Sequence, residues 1–309
     1  MKFAFLFPGQ GSQSIGMMQG FDSLAVVRDT FVEASAILGQ DLWALAADGP
    51  VEQLGLTVNT QPLMLVAGVA TYRAWLAQGG RVPDVMAGHS LGEYSALVAA
   101  GALTLETALP LVRLRANAMQ SAVAEGVGAM AAILGLDDAT VRAVCVEAAQ
   151  GEVLEAVNFN SPGQVVIAGH KAAVDRGMVL AKEKGAKRAL PLPVSVPSHC
   201  ALMRPAAEQL AVALAEVIIK APQIPVLHNA DVMAYSDPDQ IRDALARQLY
   251  SPVRWVETVQ AMANDGVTLA AECGPGKVLA GLTKRIDERV AATALVSMDA
   301  MTEFKTLIG

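Results

Sequence analysis

Cysteine is scarce in this chain of 309 residues: Cys145, Cys200 and Cys273 lie far apart, and no C-x-x-C pair occurs. An odd, scattered set excludes a disulfide framework and a multi-thiolate zinc site, and it suits a reducing compartment. Charge is scarce too. Charged residues make up 17% of the sequence, and acids outnumber bases for a net charge of −7, which argues against nucleic acid as a general partner. No uninterrupted apolar run approaches the ~18 residues of a membrane span. The opening MKFAFLFPGQGSQ has one lysine and an apolar run that Pro8-Gly9 breaks early. It is too short for a secretory core and reads as a buried first strand. The expectation is a cytoplasmic protein that uses no membrane.

Apolar residues are plentiful, at 53%, enough for a well-buried α/β protein. Lys2–Phe7 reads as a strand, followed by a Gly-rich turn. Leu65, Val69, Tyr72 and Leu76 share one helical face, which Gly79-Gly80 ends. Residues 84–88 read as a short strand and 91–100 as a helix, the alternation of a parallel sheet covered by helices. The middle reads as strand 129–134, helix 139–149, strands 153–159 and 164–168 joined by a turn at 160–163, helix 172–184 and strand 187–192. That βαββαβ order predicts a ferredoxin-like subdomain over residues 126–194, inserted into a larger domain made of 1–125 and 195–309. A helix over 201–217, a strand near Val226 and a buried strand at Val267–Glu272 resume the larger domain.

Gly88-His89-Ser90-Leu91-Gly92 fits the nucleophile elbow G-x-S-x-G. A tight strand-to-helix turn strains the serine backbone, and glycines on either side avoid clashes. The hydroxyl then stands at a helix N-terminus, which favours developing negative charge. Serine needs a base. Of four histidines, His89 adjoins the serine and points away, His170 closes a strand-to-helix turn, and His228 reads as a core histidine near a strand end. His199, in Pro197-Ser198-His199-Cys200, lies where the chain re-enters the large domain and is the favoured base. The acids between Ser90 and His199 include Asp137, Asp138 and Glu152, all within the insertion, so no triad carboxylate is evident. A backbone carbonyl from later in the chain is the expected partner of the base.

Arg115 shares an apolar helical stripe with Leu105, Ala108, Val112 and Met119, whereas Arg113 points roughly 200° away and can reach solvent. A guanidinium on an apolar face cannot discard its charge and needs an anionic partner. That partner is either an internal Asp or Glu or a carboxylate on the substrate.

Taken with FPGQGSQ, GHSLGEYSAL, RANAMQ, NFNSPGQVVIAG, PVSVPSHCALM, QLYSPVRW and ECGPGKVL in order, these residues resemble the bacterial malonyl-CoA:acyl-carrier-protein transacylases nearly end to end. The resemblance implies an α/β-hydrolase-like large domain with a ferredoxin-like insertion. It also implies transfer of malonyl from malonyl-CoA to the phosphopantetheine thiol of acyl carrier protein, for fatty acid biosynthesis, with no metal or prosthetic group. Ser90 is implied as the acylated nucleophile, His199 as the base, Gln248 as the residue whose carbonyl orients it, and Gln10 and Leu91 as oxyanion-hole donors. Arg115 is implied to pair with the malonyl carboxylate, and Asn160 to touch the CoA side. Ala116 departs from the glycine many relatives carry there, with little effect expected. A polyketide carrier, or a malonate decarboxylase subunit, fits the same residues. A hydrolase using water and a non-catalytic carrier-docking module are the competing readings. Between Lys171 and Arg204 stand seven basic residues and two acids. The run reads either as a solvated helix face or as a landing patch for an acidic carrier and CoA phosphates, with Lys187 and Arg188 foremost. A monomer is expected.

Overall fold

The computed structural model describes residues 1–194 and 196–309. Its strands are β1 (Lys2–Phe7), β2 (Val85–Gly88), β3 (Gly128–Leu134), β4 (Leu154–Ser161), β5 (Gln164–His170), β6 (Arg188–Pro191), β7 (Val226–Leu227), β8 (Val267–Glu272) and β9 (Ala291–Ala294). Strand side chains alternate between faces, and both faces of β1 are apolar, so both must be covered. Phe3, Phe5 and Phe7 enter a large core with Phe31, Trp75 and Phe304, and Ala4 and Leu6 enter a second with Trp255, Val259 and Leu279. Such a strand belongs at the centre of a sheet with helices on both sides. It sits there: the order is β7-β2-β1-β8-β9, and every pairing is parallel. The fold is therefore mixed α/β, built on a parallel sheet.

The helix expected around Leu65 runs over Thr57–Ala77 and is buried on nearly every side, although Leu76, placed on its inner face by spacing, is 40% exposed. Other helices pack on its far side, so a single apolar stripe understates what it buries. Helix Leu105–Ser121, which carries Arg115, starts at Thr104, whose hydroxyl accepts from the Thr107 N–H in a reciprocal cap.

From β3 to β6 the chain builds a second sheet, antiparallel throughout, in the order β4-β5-β3-β6. Helices Asp138–Ala149 and Lys171–Glu183 cover one face over Ile133, Val144, Val165 and Ile167. The other face, with Met130, Val157, Val166 and Ala168, packs on Cys200. The order of elements is the one read from sequence; most boundaries shift by a residue or two, and three of the differences bear on the site. The β4–β5 turn is Pro162-Gly163 alone, because Ser161 pairs with Gln164 and Asn160 stays in the strand. The last strand shortens to β6. The helix expected from Ala201 opens as a 3₁₀ turn, Ala201–Met203, and becomes α-helical over Arg204–Glu216, where Pro205 sets the first turn. Ser195, the expected re-entry point of the large domain, lies outside the described residues. Among these, the three cysteines are free and buried, and no helix is long and apolar enough to cross a membrane.

Candidate active site

Strand β2 ends at Gly88, and Ser90 follows with φ 53°, in the left-handed region that non-glycine residues rarely occupy. Glycine is required on both sides of it. A Cβ on Gly88 would lie 1.8 Å from the Gly92 carbonyl carbon, and one on Gly92 would lie 2.0 Å from the Phe7 oxygen. The turn is tied down by the His89 N–H on the Phe7 carbonyl at 2.9 Å and by Asn229, which accepts from the Ser90 N–H and donates to the Gly88 carbonyl, each at 2.7 Å. Helix Gly92–Ala99 begins at once and aims its N-terminal dipole at the hydroxyl.

The Ser90 hydroxyl meets His199 Nε2 at 2.8 Å, and His199 Nδ1 meets the Gln248 carbonyl at 2.8 Å. A carbonyl only accepts, so Nδ1 carries the ring proton and Nε2 is free to take the one on serine. His199 also has positive φ, 67°, and its N–H donates to the Leu249 carbonyl at 3.0 Å. The backbone around 199 thus bends under strain to aim the ring at the elbow. Burial, and then the Arg115 charge, depress the His199 pKa to about 3. The carboxylates considered from sequence are occupied elsewhere: Asp137 caps a helix, Asp138 opens that same helix, and Glu152 pairs with Arg176.

Arg115 is 1% exposed. Its Nη1 donates to Gln61 Oε1 at 2.7 Å, and its Nη2 to Gln248 Oε1 at 3.0 Å and toward Ser90 Oγ at 3.4 Å. Its Nε has no partner among the described residues. No described carboxylate forms a direct ion pair with it; the buried Glu93 acts on it at longer range, across the Gln248 amide. Two neutral amide oxygens hold a full positive charge beside the nucleophile, and burial lowers its pKa from the ordinary value. Arg113 departs from expectation. It is half-buried and donates to Gln40 Oε1 at 2.5 Å, Gln40 lying just past the end of helix Ala25–Leu38.

A cleft of about 120 Å³ opens over these groups, lined by Gln10, Leu91, Ser90, Arg115 and His199 with apolar Met119, Met130, Leu192, Val194 and Val196. The backbone N–H groups of Gln10 and Leu91 have no hydrogen-bond partner among the described residues, and both residues line this cleft together with Ser90. Asn160 does not line it. Its Oδ1 accepts from His89 Nε2 at 2.8 Å, and the His89 ring packs on Trp255. Asn158 lines the cleft instead, with its buried Oδ1 unpartnered among the described residues. Strand periodicity alone would put both asparagines on one face, but the register against β5 shifts between Phe159 and Ser161, so the two need not face the same way. Lys187 and Arg188 are exposed and lie outside the cleft lining. Of the basic run, Lys171, Arg176 and Lys184 are already paired with Asp175, Glu152 and Glu147. A roomier cavity of about 480 Å³, by Arg28 and Trp43, holds none of these residues.

Sequence reading missed Gln61, Asn229, Glu93 and the side chain of Gln248, while His228, read as a core histidine, is fully buried against Glu93. Glu93 had a usable signal, an acid directly before the largely apolar run YSALVAA. Asn229 had none, being more than 130 residues from the elbow it braces.

Residues 4–298 match the acyl transferase domain family. The chain is 59% identical to malonyl CoA-acyl carrier protein transacylase of Escherichia coli strain K12, over 97% of each protein. It is 44% identical to the Bacillus subtilis protein of that name, over 95% of this chain and 93% of the other. Its structure is similar to an acyl-carrier-protein S-malonyltransferase from Burkholderia pseudomallei, with TM-score 0.98 and 60% identity over 99% of this chain and all of that one. It is equally similar, at TM-score 0.98 and 52% identity over 99% of this chain and all of that one, to a malonyl-transacylase solved in complex with its type II polyketide synthase acyl-carrier protein. On this evidence, joined to the serine–histidine pair and the buried arginine, the chain belongs to the acyl transferase domain family, among the malonyl CoA-acyl carrier protein transacylases.

Proposed function

We propose that the chain moves a malonyl group from malonyl-CoA to the phosphopantetheine thiol of acyl carrier protein, in fatty acid biosynthesis, through an acyl-enzyme on Ser90. The observation that carries this reading is Arg115: a buried cation, lacking an ion-pair partner among the described residues, 3.4 Å from the nucleophile. A malonyl carboxylate supplies the missing anion and the bidentate geometry a guanidinium favours.

Ser90 Oγ attacks the thioester carbonyl as His199 Nε2 takes its proton. The oxyanion rests on the Gln10 and Leu91 N–H groups, worth ~3–4 kcal/mol per donor. The C–S bond breaks, and the departing CoA sulfur takes the proton from His199. The carrier's thiol then attacks the acyl-enzyme, gives its proton to His199, and the new thioester leaves as that proton returns to Ser90. The Gln248 carbonyl does the work of a triad acid by holding the Nδ1 proton.

The finer assignments accompany this reading. The parallel-sheet body (1–125 and 195–309) is the α/β-hydrolase-like domain, and the antiparallel sheet (126–194) is the ferredoxin-like one, its strand order being that of a βαββαβ unit. Lys187 and Arg188 lead through β6 to the cleft-lining Leu192, and they are the proposed contacts for CoA phosphates and an acidic carrier. Asn158 joins Asn160 as a proposed pantetheine-side residue. The protein is read as a cytoplasmic monomer. The likeness to a transacylase bound to a polyketide carrier favours, as a second reading, an acceptor of that kind.

Intact-mass analysis tests the proposal. Malonyl-CoA alone is expected to leave one malonyl group on the protein, and holo acyl carrier protein to remove it. Continued CoA release past one equivalent with water alone supports a hydrolase, and no adduct with carrier binding intact supports a docking module.

The depressed His199 pKa has a kinetic signature. A base stays neutral until pH falls to its pKa, so kcat/KM for malonyl-CoA is expected to stay level from about pH 8 to about 5 and fall only below that. An acid limb near the ordinary histidine value of about 6.5 would mean a solvated, unperturbed ring.

A further inference from the structure

Glu93 takes no part in the chemistry above, yet it is fully buried on the first turn of helix Gly92–Ala99, directly behind the nucleophile. Three donors converge on its oxygens. His228 Nδ1 lies 2.7 Å from Oε1, and the Asn229 N–H and Gln248 Nε2 lie 2.8 and 3.0 Å from Oε2. A backbone N–H only donates, so Oε2 is an acceptor, and the end of the Gln248 amide that meets it is the NH₂. That NH₂ also donates to the Ser90 carbonyl at 3.0 Å. Anchored twice, the amide plane cannot pivot, and Oε1 is left facing Arg115 Nη2 at 3.0 Å. Among the described residues, Arg115 has two other side-chain contacts away from the nucleophile: Gln61 on its opposite nitrogen and the Tyr94 ring, 5.6 Å from the guanidinium carbon.

We propose, on the reading that Arg115 pairs with the malonyl carboxylate, that Glu93 is a specificity-determining positioning residue: it locks the Gln248 amide, which aims the Arg115 guanidinium at the acyl group. With the Ser90 carbonyl as the one acceptor left for its NH₂ among the described residues, the amide would pivot about that contact, and Arg115 would lose the geometry that selects a carboxylate. Neutral acyl groups do not use that geometry, so their transfer is affected less.

Two variants separate this hydrogen-bonding role from charge. Glu93→Gln removes the charge but can place its carbonyl where Oε2 was and turn its NH₂ to the His228 ring, which can adopt the other tautomer. Glu93→Asp keeps the charge but draws the carboxylate back by about 1.5 Å, out of reach of Gln248. Steady-state kcat and KM are measured for malonyl-CoA and acetyl-CoA with holo acyl carrier protein, alongside wild type and Arg115→Ala, with thermal melts to confirm folding. The expected result is a malonyl-to-acetyl kcat/KM ratio within about threefold of wild type for Glu93→Gln and about tenfold lower for Glu93→Asp, carried by malonyl-CoA KM. Loss of the ratio in the Gln variant, or an unmoved ratio in the Asp variant, overturns the proposal. A wild type without malonyl preference, or an Arg115→Ala enzyme that keeps it, overturns the reading of Arg115 itself and this role with it.

Discussion

Ser90→Ala is expected to lower malonyl transfer by about 10⁴-fold or more, since removing a nucleophile that acts as one unit with its base costs most of the chemical step. The substitution deletes one oxygen in a site already shaped around it. The φ of 53° at Ser90 is held by Asn229 and the flanking glycines, none of which contacts the hydroxyl, so the fold is expected to survive. His199 loses the 2.8 Å partner on Nε2 and keeps the one on Nδ1. Mass analysis with malonyl-CoA is expected to show no adduct, while the melting temperature stays near that of wild type. A variant that still acquires a malonyl group would place the acylated residue elsewhere.

Arg115→Ala has the second largest expected effect, and it acts on selectivity. A bidentate charged pair with the malonyl carboxylate is worth about 3–4 kcal/mol, so kcat/KM for malonyl-CoA is expected to fall by ~10²–10³-fold. Acetyl-CoA is expected to lose far less and to gain relative to malonyl-CoA, because a neutral acyl group no longer strands a desolvated cation. Two side effects follow from the geometry. Gln61 Oε1 and Gln248 Oε1 lose their donor, which costs stability on the order of 1–3 kcal/mol for each acceptor left unsatisfied. The charge that depresses His199 is also gone, so its pKa rises and the acid limb of the rate profile moves to higher pH. The ratio of the two donors, not the absolute rate, is therefore the decisive measurement. Equal losses with both would remove Arg115 from selection.

Much of this was legible in the residues because it rests on local rules. The elbow needs glycine at fixed offsets around a serine, so five residues announce it. The βαββαβ order follows from periodicity switching between two and 3.6 along one stretch of chain. Arg115 showed itself as a cation within an apolar stripe. Where reading faltered, contacts between distant segments were responsible. Asn158, which no local pattern singled out, lines the cleft beside a shift of strand register against β5. Arg113 was drawn partly out of solvent by Gln40, and three of the seven basic residues of the run, Lys171, Arg176 and Lys184, were paired with acids.

The sequence by itself determined the chemistry on offer: a serine that must stand at a strained turn, a histidine able to serve it, and a cation that needs an anion. Those depend on residue type and short spacing. Only the tertiary structure decided which partners each would have. The Gln248 carbonyl in place of a carboxylate, two amide oxygens in place of an acid around Arg115, and Glu93 bound to residues 135 positions and more away are all products of chain crossings that bury polar atoms together. A buried polar atom must be satisfied by whatever the fold brings within about 3 Å, and no local pattern in the sequence records that.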